Sequence, residues 1–425
     1  MITSGKLKNN INYILENNEN NLSTTIIVMF KVGSRNELPD YSGISHFIEH
    51  LMFKGTKKRP TSQKIVNEIY RYGGKINAFT DIDCTGYYIT VPYENINLAI
   101  DILSDMLFNS VLTDKNIKNE KNIVINEVER AISEPNKQIL GLNNKILYNN
   151  TLLSKSIGGD KDKIENYTRE MILSYLNNYY TLDNMVISIV GKINKNIITL
   201  LNKNFGNKKF NNNIKNNLLN SNEITNYPNF RLLQTDLRFN NIIRKDLMQS
   251  YICISVPTYS INNNKKYVVN VIGTLLAGNM SSILFLKLRE ELSLVYNIKY
   301  SMDTFEDLGS LKIVFSTFNK KDIIKKCYKI IFNEFNNLKK NKINKKKLTI
   351  AKDYIIGRLK LSKDNTFSTA KLYATNKLFT NNLYTLDYYI KQYQKIKPVD
   401  IYNISNEIFD INKINLSIIS NEKFL

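Results

Sequence analysis

Tyr41-Ser42-Gly43-Ile44-Ser45-His46-Phe47-Ile48-Glu49-His50-Leu51-Met52-Phe53-Lys54-Gly55-Thr56 contains both histidines of a chain of 425 residues. Four positions apart on a helix, two side chains share one face, one turn above the other. Two imidazoles so placed can close on a single metal ion. Glu49 flanks the same face. A metal site that keeps one position open holds water there, and a neighbouring carboxylate can take that water's proton. Phe47, Ile48, Leu51 and Met52 make the segment apolar, so the imidazoles are expected to be buried, and buried imidazoles need partners.

No third histidine exists, so a third protein ligand must be Glu, Asp or Cys. The stretch Asn119-Glu120-Lys121-Asn122-Ile123-Val124-Ile125-Asn126-Glu127-Val128 supplies candidates. Glu120 and Glu127 stand two helical turns apart on one face, with Ile123 and Val124 expected between them on that face. Carboxylates on the inward side of a helix are costly unless paired or metal-bound.

The order H-x-x-E-H inverts the H-E-x-x-H zinc-protease helix and is the inverzincin motif. With its flanks it resembles the G-x-x-H-F-L-E-H-M-x-F-K-G-T signature of the pitrilysin-type zinc metallopeptidases. The chain is most like their short two-domain members, the bacterial processing peptidases and the β-subunit type of mitochondrial processing peptidase. The resemblance implies one zinc per chain, with His46, His50 and Glu127 as ligands and Glu49 as general base. It also implies Glu120 as an outer carboxylate supporting the site.

Thr24 to Val32 reads as a strand rich in β-branched residues, and Gly33-Ser34-Arg35-Asn36-Glu37 turns it towards the histidine helix. Pro60-Thr61-Ser62 offers an N-cap for a helix that stops at Gly73-Gly74. Lys75 to Tyr88 reads as a strand and resembles the family's I-N-A-Y-T-S-R-E-H-T-A-Y-Y segment, an edge strand beside the zinc to which substrate adds as a further strand. That implies main-chain pairing of peptide with Asn77, Ala78, Phe79 and Thr80. Asp83 and Cys84 depart from the family's commoner pair there.

Ile96 to Phe108 is an amphipathic helix, and Asn184 to Gly191 a buried strand. Residues 206–230 are rich in Asn and Lys without a sustained apolar period, as in a connection. The pattern then restarts. Tyr251 to Val256 is a strand, and Leu311 to Ser316 leads into a helix from Lys320 to Leu338, repeating the order of Tyr88 to Val91 and Ile96 to Phe108. Ile414 to Ile419 echoes Val186 to Val190. This is an internal duplication. The expected fold is α+β: two homologous α/β sandwich domains, each a mainly antiparallel sheet packed with helices. Their expected limits are 1–206 for the zinc domain, 207–230 for the linker and 231–425 for a second domain that has no histidine.

Gly278 to Tyr296 resembles the family's G-x-x-S-S-R-L-F-x-x-L-R-E-x-x-G-L-A-Y segment, with Ile283 and Ser293 in place of an Arg and a Gly. Arg289 and Tyr296 fall on a paired Arg and Tyr, groups suited to holding substrate backbone and stabilising an oxyanion.

Formal charge is +21, but the lysines are scattered among Asn and Ile with no aromatic-interleaved basic motif, which argues against nucleic acid. Three isolated cysteines suggest no disulfide framework and a reducing compartment. No run of apolar residues is long enough to span a membrane. The first residues show neither an apolar signal core nor an Arg-rich presequence. The expected location is the cytoplasm of a bacterial cell, or the mitochondrial matrix for a chain trimmed of a targeting segment. The expected activity is zinc-dependent endoproteolysis of extended or unfolded peptides, presequence-type processing among them. The rival is a non-catalytic or regulatory subunit of a peptidase heterodimer. In the family, a two-domain chain finds its second half-site in another subunit. This one carries both the zinc set and Arg289/Tyr296, which implies a homodimer, with a heterodimer of related subunits as the alternative.

Overall fold

The run Ser-Thr-Thr-Ile-Ile-Val-Met-Phe at Ser23–Phe30 is buried at every position but its first and forms an interior strand of the first of two sheets. The computed structural model describes residues 2–149, 151–210 and 236–424. The first sheet contains β1 (Ile2–Lys6), β2 (Asn12–Asn17), β3 (Ser23–Phe30), β4 (Lys75–Thr80), β5 (Thr85–Pro92) and β6 (Met185–Gly191) in the order β1-β2-β6-β3-β5-β4. Only β2 and β6 run parallel. The second contains β7 (Arg238–Ile243), β8 (Gln249–Thr258), β9 (Val295–Thr304), β10 (Gly309–Phe318) and β11 (Asn415–Ser420) in the order β7-β11-β8-β10-β9. Here β7 and β11 are the parallel pair. The order β2-β6-β3-β5-β4 therefore recurs strand for strand, with the parallel pair in the same place. Each sheet packs helices around its own apolar core. The α+β class, with two repeated and mainly antiparallel sheets, is as the sequence led one to expect.

The first five α-helices in chain order are α1 (Ile44–Leu51), α2 (Ser62–Tyr70), α3 (Ile96–Asn109), α4 (Asp114–Ser133) and α5 (Pro135–Leu147). The Thr61 hydroxyl caps α2 by accepting from the Lys64 amide, as Pro60-Thr61-Ser62 suggested.

The stretch 75–88, expected as one strand, is a hairpin. Asp81 to Cys84 make the turn, closed by Asp81 N–H donating to the Cys84 carbonyl at 2.8 Å. The Asp81 carboxylate accepts from the Ile82 amide, a local bond that lets Asp compete with strand pairing. The Ser34 and Arg35 amides donate to the Asp81 and Ile82 carbonyls, so the turn is held from outside as well. β4 is left as an edge, paired with β5 alone.

The compact units interleave along the chain. Ala131–Ser154, which includes α5, belongs to the second unit, and Leu361–Tyr384 belongs to the first. Buried contacts explain both. Ile139 of α5 packs with Cys253, Val314 and Ile419, and buried Asn143 donates to Ser417 Oγ. The Tyr148 hydroxyl donates to Asp303 at 2.8 Å. In the first unit, the helix Thr366–Thr380 places Thr366 against Thr25, hydroxyl to hydroxyl at 2.7 Å, and stacks Phe367 on Tyr88 with ring centres 4.0 Å apart. Of the expected 207–230 connection, residues 211–230 lie outside the described residues. Phe210, just before them, packs on Phe108 in the first core.

Candidate metal centre

α1 starts at Gly43, whose φ of +94° is a conformation that favours glycine. A Cβ there would also meet the Gly158 carbonyl oxygen at 2.6 Å. Glu37, fully buried, receives the first amides of the helix: Gly43 N–H donates to Oε2 at 2.6 Å and Ser45 N–H to Oε1 at 2.9 Å. An anion at a helix N-terminus satisfies unpaired donors and suits the helix dipole. Burial nevertheless pushes this carboxyl up to about 8, against the pull of those two amides. From the sequence, Glu37 is expected only as the end of the turn that leads to the histidine helix, with no part in holding it. Its only signal was an acid shortly ahead of a glycine that starts a helix.

α1 buries Ile44, Ser45, Phe47, Ile48 and Leu51, which leaves His46, Glu49 and His50 on its other side, partly buried. The two imidazole Nε2 atoms lie 3.2 Å apart. From α4, Glu127 brings its carboxylate to 3.4 Å from His50 Nε2 and 3.9 Å from His46 Nε2. Among the described residues these three form the one cluster with metal-ligand geometry. For ligands at zinc bond lengths in a tetrahedral array, neighbouring donor atoms stand roughly 3.3 Å apart. The set fits, with the Glu127–His46 edge the loosest.

The inward carboxylate of α4 is Glu120, at 2% exposure, whereas Glu127 is 54% exposed at the rim. Ile123, expected on the inward face, is 49% exposed. It is Val124 that is buried, because the face that α4 presents to the core runs through Ile117, Glu120, Val124 and Val128. Glu120 Oε1 lies 2.9 Å from His50 Nδ1. An ionised carboxylate only accepts, so His50 donates Nδ1–H there and turns its other ring nitrogen, Nε2, toward His46 and Glu127. The other oxygen of Glu120 receives Lys54 Nζ at 2.6 Å. His46 Nδ1 is buried with no partner among the described residues.

The charges follow from these contacts. Burial, then repulsion from His50, lowers the pKa of His46 and keeps it a neutral donor. For His50, burial disfavours the cation but the Glu120 bond and charge, with Glu127 and Glu49, outweigh it and hold the pKa up. Burial raises Glu49 despite the Thr80 hydroxyl, which donates to Oε2 at 2.6 Å. A carboxylate of raised basicity is equipped to accept a proton from water.

Asn77, Ala78, Phe79 and Thr80 all fall on β4. Asn77 faces solvent, Ala78 is buried, and Lys371 sits 3.8 Å over the Phe79 ring. Arg289 and Tyr296 belong to the second unit. The Arg289 guanidinium lies 4.9 Å from the Phe285 ring centre. Tyr296, 48% exposed, stands on β9 against Phe318. No helix among the described residues is long and apolar enough to cross a membrane, and Cys84, Cys253 and Cys327 are free and buried.

Residues 12–161 match the family described as insulinase, peptidase family M16, and residues 166–355 match the M16 inactive domain. The chain is 29% identical over 410 residues, 96% of each chain, to the uncharacterized zinc protease YmxG of Bacillus subtilis. It is 28% identical to an uncharacterized zinc protease of Rickettsia felis, over 95% of this chain and 94% of that one. Over 178 residues, 42% of this chain and 38% of the relative, it is 35% identical to the mitochondrial-processing peptidase subunit beta of Dictyostelium discoideum. Among solved structures, a protease from Helicobacter pylori has the same fold, with a TM-score of 0.89 at 21% identity over 99% of both chains.

Proposed function

Because this chain belongs to the M16 peptidase family, we propose that it is a zinc-dependent metalloendopeptidase that cleaves extended or unfolded peptides. The observation that carries the reading is the convergence of His46, His50 and Glu127 on one point, with Glu49 on the same helix as the histidines and in electrostatic contact with His50 and Glu127. The relatives named as zinc proteases support it. Zinc, when bound, supplies Lewis-acid polarisation of the scissile carbonyl and acidifies water. His46 and His50 hold it through Nε2 and Glu127 through its carboxylate, one zinc per chain. Glu49 takes a proton from the attacking water and delivers it to the departing amine. Glu120 fixes the ring of His50. β4, an edge with unpaired main-chain groups, receives the peptide as an added strand through Asn77 to Thr80, which requires the substrate to be extended there.

Arg289 and Tyr296 complete the site in our reading, from the partner of a two-fold homodimer. Their support is the segment Gly278 to Tyr296 and the exposure of both side chains. The three unpaired thiols fit a reducing compartment. The alternative, a non-catalytic subunit, finds support in the inactive-domain description that residues 166–355 match. It does not account for a set of candidate metal ligands and a base, His46, Glu49, His50 and Glu127, that lie outside that match.

The test is metal analysis of the purified chain with cleavage of an unstructured peptide before and after chelation. About one zinc per chain, loss of cleavage on chelation and recovery with zinc are expected. Glu127→Gln should lose both metal and activity. Cleavage that persists in the metal-free protein, or full zinc and activity in Glu127→Gln, would overturn the reading.

A further inference from the structure

We propose that Lys54 is a positioning residue of the metal centre: by holding Glu120 it fixes His50 and draws α1 and α4 together, so that Glu127 meets the histidines. The proposal deepens the zinc reading and rests on it.

Three contacts make a chain. Lys54 Nζ lies 2.6 Å from Glu120 Oε2, Glu120 Oε1 lies 2.9 Å from His50 Nδ1, and His50 Nε2 lies 3.4 Å from Glu127. Among the described residues each oxygen of Glu120 has one partner, so rotation about its last bond would break both contacts at once. The carboxylate is 2% exposed and Lys54 is 28% exposed, leaving water little access to replace the ammonium. A buried carboxylate stripped of one of two partners moves or changes its bonding.

The position of Lys54 is itself fixed. Its amide donates to the Leu51 carbonyl at 3.0 Å, and the neighbouring Phe53 amide donates to the His50 carbonyl. The ammonium therefore projects from the C-terminal end of the helix that bears both histidines, while Glu120 lies on the helix that bears Glu127, two turns before it. The ion pair ties together the two helices whose spacing sets the metal-ligand distances. His46 has no such support, since its Nδ1 lacks a partner among the described residues. Orientation of the imidazole pair thus depends on the His50 side, to which Lys54 contributes.

The variants are Lys54→Met, which keeps the stem and removes the charge, Lys54→Arg, Glu120→Gln, and Lys54→Met combined with Glu120→Gln. Zinc affinity is measured by competition with a chromophoric chelator, melting temperature on the metal-free proteins, and kcat and KM on an unstructured peptide at saturating zinc. Lys54→Met is expected to weaken zinc binding about 10–100-fold, the loss typical of groups that orient a metal ligand. KM should change little, and Lys54→Arg should restore most of the affinity. In the Glu120→Gln background, Lys54→Met should cost little more. Wild-type zinc affinity in Lys54→Met would overturn the proposal. So would an equal loss with and without Glu120, or a loss that Lys54→Arg fails to restore while the metal-free melting temperature falls in step. Should the parent chain bind no zinc at all, it is the metallopeptidase reading that fails, and Lys54 with it.

Discussion

Thr80, the last residue of β4, donates its hydroxyl to Glu49 Oε2 at 2.6 Å. The bond joins the edge strand to the carboxylate beside the metal cluster, across 31 positions of sequence. Oε1 of Glu49 takes no part in that bond. Thr80→Val keeps the β-branched shape and the main chain of the edge but frees the carboxylate to turn. We expect kcat on an unstructured peptide to fall roughly tenfold, the scale of a hydrogen bond to a charged group, with KM little changed. Thr80→Ser should retain most of the rate. Equal rates for the Val and wild-type proteins would show that the bond has no part in turnover.

Glu49→Gln preserves size but cannot accept a proton from water. Zinc content is expected to match wild type, while kcat falls by about two to four orders of magnitude. Metal analysis beside steady-state kinetics checks this. A zinc-loaded Glu49→Gln protein of near-normal turnover would remove Glu49 from the chemistry.

Glu37 makes stability depend on pH. Its carboxyl is pushed up to about 8 in the folded protein from an ordinary 4.5, so between those values the folded state holds a proton that the unfolded chain releases. Its contribution to stability is then fully present below the ordinary value and is lost as pH rises to 8. Glu37→Gln has no such proton to lose. Its melting temperature, compared with that of wild type in the metal-free state, should improve steadily from about pH 5 to about pH 8. A difference that stays flat across that range would place the pKa of Glu37 near its ordinary value.

The proposed dimer is open to complementation. Glu49→Gln and Tyr296→Phe should each be weak alone. Co-expressed and purified as a verified heterodimer, they should regain part of the wild-type rate, since one of the two sites then has both groups intact. A fully active monomer, or a heterodimer with no recovery, would dismiss sharing of Tyr296 between subunits.

Local spacing wrote much of this into the sequence. His46, Glu49 and His50 share a face because helical period puts them there, whatever surrounds the helix. The repeat of strand and helix order in the two halves is likewise legible, since alternation and apolar period are properties of neighbours in sequence. Tertiary structure decided the rest. Glu120 and Glu127 are two turns apart on one helix, and spacing alone does not distinguish them. Only the packing of α4 sends Glu120 inward to His50 and Lys54 and leaves Glu127 at the rim, within reach of both imidazoles. The hairpin at Asp81 to Cys84 is partly held by amides from Ser34 and Arg35. Glu37 acquires its partners only when α1 turns its first amides toward it. The exchange of α5 and of the helix Thr366–Thr380 between units rests on contacts such as Asn143 with Ser417 and Thr366 with Thr25. Those pairs are hundreds of positions apart, and no local pattern records them, because burying a polar side chain depends on which distant group arrives to bond it.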